Sequence, residues 1–196
     1  MSWLSEESLL LAKNWDTVEA IFEAEQRLRR ELTSVLHTVE QELSKREWWK
    51  DGWVFVHHQD SQVYISHAKW QVGDVYTVWI GVEGFAPRAI FGMESPPTLY
   101  VWVARKEYEL AQALAREIEK IEEEVLGELD HRATGYVVKH GVSKCLPEEV
   151  DGYAERVCHQ IVEFFAHYAQ LLWQLDSIIG DYLETRGAAS TADDLE

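Results

Sequence analysis

Apolar residues recur at intervals of three and four over Val18, Ile21, Leu28, Leu32, Val35 and Val39. Phe22, Leu36 and Leu43 widen the stripe, and Glu25 alone interrupts it. This spacing gathers the apolar side chains on one side of an α-helix, so it predicts one amphipathic helix of about 30 residues with a coiled-coil-like period. Asp16 stands at the expected N-cap, with Glu19 three residues later as in a capping box. A shorter helix from about Ser5 to Lys13 is expected before it, and Lys50-Asp51-Gly52 closes the helical region.

The period then changes. Trp53 to His57, Gln62 to Ala68, Val75 to Val82 and Leu99 to Val103 are rich in β-branched and aromatic residues and read as strands. A two-residue turn at Asp60-Ser61 is expected to close the first hairpin, and Val72-Gly73-Asp74 a second. Ala89-Ile90-Phe91 reads as a short extra strand before Pro96-Pro97. Short connections without a crossover helix imply antiparallel pairing.

Helical spacing resumes at Arg105, with Ala111, Leu114, Ile118, Ile121 and Val125 as the seam, and Tyr136-Val137-Val138 reads as one more strand. Pro147 marks the first turn of a last helix. Its seam is Val157, Ile161, Phe164, Tyr168, Leu171, Leu175, Ile178 and Tyr182. The expected fold class is α+β: a four- to five-stranded antiparallel meander packed against long amphipathic helices, in the order α-β-β-β-β-α-(β)-α. Residues 1–184 are expected to form a single domain, and the small and polar residues 185–196 a flexible tail.

Charge narrows the function classes. The 196 residues carry 35 acids against 18 bases, a formal net charge of −17, so phosphate backbones and anionic lipids are repelled. Direct nucleic-acid or membrane binding is therefore not expected. The N-terminus lacks a basic-then-apolar secretory pattern, and no apolar run approaches a membrane span. Two cysteines, Cys145 and Cys158, are too few for a disulfide scaffold, which points to the cytoplasm.

The motifs for chemistry are incomplete. His57, His58 and His67 fall on one hairpin, where His58 would face Val63 and His67 would face Val54, with His57 on the opposite side. A metal needs three or four donors converging at about 2.0–2.3 Å, which that hairpin alone does not supply, so no metal or other cofactor is expected. His159, Glu163 and His167 on the last helix read as a solvated face. Cys145 lies near a helix start beside Lys144, but no orienting histidine is evident. Phosphate-binding glycine loops and a nucleophile elbow are absent. Asp74 and Glu83 are possible nuclease acids, yet Phe85 stands where Asp/Glu-x-Lys chemistry requires lysine.

Surfaces remain. Nine tryptophans imply large packed contacts. Trp48, Trp49 and Trp70 could form an exposed patch or the joint between helix and sheet. On the last helix Val162, Ala166, Ala169, Trp173 and Gly180 make a second apolar face that requires cover, either from the first long helix or from a second subunit. Glu119, Glu122 and Glu123 form a candidate acidic surface. The expected function is non-catalytic: an acidic assembly protein, acting by contact with a protein partner and as an oligomer, preferably a dimer. The alternatives are an acidic decoy for a nucleic-acid-binding protein and an enzyme whose site has no recognised motif.

Overall fold

The computed structural model describes residues 5–50, 52–92, 94–122, 126–131, 135–146, 148 and 150–193. The helices are α1 (Glu6–Lys13), α2 (Trp15–Ser44), α3 (Pro87–Phe91), α4 (Tyr108–Ile121), α5 (Tyr153–Gln174) and α6 (Asp176–Asp193). The strands are β1 (Trp53–Gln59), β2 (Gln62–His67), β3 (Gln71–Val72), β4 (Val75–Tyr76), β5 (Val78–Glu83), β6 (Thr98–Val103), β7 (Glu128–Leu129) and β8 (Tyr136–Gly141). Six of them form one antiparallel sheet in the order β1-β2-β5-β6-β8-β7, while β3 and β4 make a separate small hairpin. This is the α+β architecture, with one strand more than expected. Among the described residues no helix is long and apolar enough to cross a membrane.

Alternation along the strands gives the sheet two unlike faces. Ile65, Ile80, Val101 and Val138 stand in register and are fully buried, as are Val63, Val82 and Leu99 beside them. Helices α4 and α5 pack against this side, and α2 packs on α5. The opposite face carries Tyr64, Trp79, Trp102 and Tyr136, all half-buried, although the mid-strand positions of Trp79 and Trp102 would suggest core. Tyr100 lies across Gly81 there: a Cβ on that glycine would meet the Tyr100 ring at 2.5 Å.

Other local expectations also change. Asn14, not Asp16, precedes α2; its side chain donates to Leu10 O (2.8 Å) and so serves the end of α1, while Asp16 sits in the first turn. Residues 89–91 are helical, because Pro87 at the first position presets the helical φ. The last helix begins at Tyr153 after Gly152 (φ +74°), well beyond Cys145; Pro147 lies outside the described residues. It also breaks at Leu175, so α5 and α6 are separate segments, and the α6 backbone stays helical past residue 184.

Candidate functional site

The apolar stripe of α2 is continuous in sequence but not in burial. Leu32, Val35, Leu36, Val39 and Leu43 are buried, whereas upstream of Leu32 on α2 the half-buried Leu28 is the last residue packed against the core. Ile21 is 63% exposed, Phe22 60% and Trp15 59%, and α1 adds Leu10 at 65%. Val18 and Leu28 on the same stripe are half-buried. The first half of α2 and α1 thus form a helical arm with a bare apolar side. Along the first half of α2 the charges are segregated. Asp16, Glu19, Glu23 and Glu25 come first, and Arg27, Arg29 and Arg30 follow, with Arg29 Nη2 3.4 Å from Glu25 Oε1 of the same chain; Lys13 on α1 precedes them.

The second face of the last helix is covered within the chain at Val162, Ala166 and Ala169, which are buried, but not at Trp173 or Gly180. Val162 shares an α2–α5 cleft of about 470 Å³ with Val35 and Thr38, and Arg46 Nη2 meets Glu163 Oε1 at 2.7 Å. Gly180 lies on α6, beyond the break, with nothing within 4 Å of a Cβ placed there. Trp173 is 42% exposed. The Lys69 ammonium sits 4.7 Å from its ring centre, and His67 packs at 4.9 Å.

The other tryptophan group divides. Trp70 is fully buried, and Trp48 and Trp49 pack against the core half-buried. Trp53 joins them edge-on, 5.3 Å from Trp48 and 5.2 Å from Trp70. His67 is enclosed by this group; its Nδ1 accepts from Lys69 N–H at 3.2 Å. These residues make the joint between helix and sheet.

The acidic candidates do not form a free stripe. Glu119 is exposed and lies 3.8 Å from His131 Nε2, while Glu122 is enclosed at the α4 cap and bonds His167 of α5. Glu123 lies outside the described residues. Cys145 is buried, with its N–H donating to Ile90 O at 3.2 Å. Burial and then the neighbouring Glu42 carboxylate push the Cys158 thiol up, which opposes a nucleophilic role.

The histidines depart most from expectation. β1 bulges at His58, so His57 pairs with Val63 and Trp53 with His67. A one-residue slip exchanges the faces of a strand. His57 therefore turns towards α2, where its Nε2 lies 3.1 Å from Glu40 Oε2. His37, three residues before Glu40, places Nδ1 at 4.0 Å from the same oxygen. Sequence reasoning confined to the hairpin missed both partners. The signal was the His-x-x-Glu spacing on the exposed side of α2.

No family model, curated protein or solved structure matches this chain.

Proposed function

We propose that this is a non-catalytic assembly protein that pairs with a second copy of itself through the arm formed by α1 and the first half of α2. The observation that carries the reading is the exposure of Trp15, Ile21 and Phe22 on the same α2 side that is buried from Leu32 onward, with Leu10 of α1 exposed beside them in sequence. Water contact over so much apolar side chain is costly, and contiguous exposed apolar surface marks an interaction site. An arm of this length, roughly 35–40 Å at about 1.5 Å per residue, matches the scale of an interface burying about 800 Å² per partner.

Charge selects the occupant and its direction. Two arms side by side in opposite directions set Arg27, Arg29 and Arg30 of each against the acidic Asp16–Glu25 stretch of the other. A parallel pair sets like against like, which is unfavourable. The antiparallel arrangement is two-fold symmetric and closes on itself, giving a dimer and not a fibre. Two cysteines, with no disulfide among the described residues, suit the reducing cytoplasm we assign to it.

The test is light-scattering mass measured across a dilution series. The dimer reading predicts a mass near twice that of the chain at high concentration, falling toward one chain on dilution. A single-chain mass at every concentration up to about a hundred micromolar, where even weak specific interfaces form, contradicts it.

A further inference from the structure

We infer that His37, Glu40 and His57 form a surface site for a borderline divalent transition ion, with zinc the natural occupant. Among the described residues they are the one trio of histidine, cysteine and carboxylate groups whose ligand atoms lie together, all within 4.8 Å of one another. The donors are two imidazole nitrogens and one carboxylate oxygen, the ligand class that zinc, cobalt(II), nickel(II) and copper(II) share and that calcium and magnesium avoid.

The geometry is close to that of a bound ion. Ligand atoms about 2.0–2.1 Å from a tetrahedral zinc stand roughly 3.3 Å apart. His57 Nε2 and Glu40 Oε2 are already at 3.1 Å, and His37 Nδ1 at 4.0 Å from the same oxygen must close by less than an ångström. The two imidazole rings lie side by side, centroids 4.5 Å apart and tilted by 38°. All three side chains keep access to solvent, at 56% for His37, 43% for Glu40 and 34% for His57, so rotamer adjustment suffices. Their backbones, in contrast, are held. His37 and Glu40 flank the fully buried Leu36 and Val39 on α2, and Phe55 packs 5.0 Å from the His57 ring.

Three other histidines stand beside a carboxylate: His167 is engaged by Glu122, His159 shares Glu163 with Arg46, and His131 lies near Glu119. Each offers one imidazole and one carboxylate, and two donors hold such ions weakly. The strongly acidic chain adds a general attraction for cations. A bound ion would tie α2 to β1 close to Leu32, the point where the arm leaves the core.

Calorimetric titration of the metal-stripped full chain with Zn²⁺, repeated with Co²⁺ and read by its visible absorption, tests the site. We expect one ion per chain, and binding weakened by His37→Ala, His57→Ala or Glu40→Gln by at least the roughly tenfold that loss of even an outer-shell partner costs. His159→Ala should leave binding unchanged, and zinc should raise Tm in the wild type but not in the His37→Ala/His57→Ala variant. Circular dichroism verifies folding; should His57→Ala unfold, the two α2 variants carry the test. Absence of Zn²⁺ binding by the wild type overturns the inference, as does binding that survives the double substitution. None of these readouts depends on self-association.

Discussion

Trp70 donates its indole N–H to Asp176 Oδ1 at 2.7 Å, across 106 positions of sequence. The bond joins the fully buried ring at the end of the first hairpin to the first residue of α6, and Lys69 Nζ approaches the other carboxylate oxygen at 3.6 Å. It ties the start of α6, one residue past the break at Leu175, to the buried Trp70.

Asp176→Ala should therefore destabilise the fold by about 1–3 kcal/mol, because the indole N–H loses its acceptor in a dry setting. Asp176→Asn keeps an acceptor oxygen and should cost less. Urea denaturation of the three proteins checks the order; equal stabilities would show that water replaces the carboxylate.

The two halves of the α2 stripe should respond differently to the same chemistry. Leu36→Ala empties a fully buried position and should cost about 2–5 kcal/mol. Ile21→Ala changes a side chain that is 63% exposed, and alanine favours helix, so monomer stability should move by no more than about 0.5 kcal/mol. Measurement at a concentration low enough to dissociate a dimer separates folding from pairing. A large loss from Ile21→Ala under those conditions would place the arm against the core.

Alkaline stability should fall in a defined window. Burial pushes the Tyr100 hydroxyl up to about 12, against the lowering effect of its hydrogen bond from Gln62 (3.1 Å). Burial raises Tyr153 to about 12 as well. Below about pH 10 these phenols are protonated in both folded and unfolded chains, and their contribution is fully present. From about pH 10 to 12 the unfolded chain releases the protons while the folded one retains them, so stability declines as pH rises. Tyr100→Phe should reduce that slope by up to about 1.4 kcal/mol per pH unit. An unchanged slope in unfolding curves across the window would remove Tyr100 from this account.

Much of this fold is legible in the sequence because burial and periodicity coincide. The buried part of α2, four of the expected strands and the α5 seam from Val157 to Leu171 fall where apolar spacing puts them, while the expected strand from Val75 to Val82 divides into β4 and β5 of different sheets. The departures arise where one residue decides the outcome. A bulge at His58 reverses the expected facing of His57 and His58, and no local composition announces it. Trp79 and Trp102 read as core by their mid-strand positions, yet strand alternation puts them on the outer face, with ring centroids 6.0 Å apart. The stripe of Val162, Ala166, Ala169, Trp173 and Gly180 suggested a surface needing cover, and α2 residues Val35 and Thr38 stand beside Val162 while Trp173 stays exposed. Periodicity identifies an apolar side but not whether anything meets it, so the bare half of α2 was indistinguishable from the buried half.

On this proposal the arm, and not the Trp173 face, joins two copies. Sedimentation of the Ile21→Glu/Phe22→Glu variant beside Trp173→Glu addresses it directly. Loss of two central anchors of about 2–4 kcal/mol each should weaken pairing at least 100-fold and leave a folded monomer. Trp173→Glu should sediment as the wild type does. A dimer that persists in the arm variant, or that dissociates only with Trp173→Glu, would contradict the account.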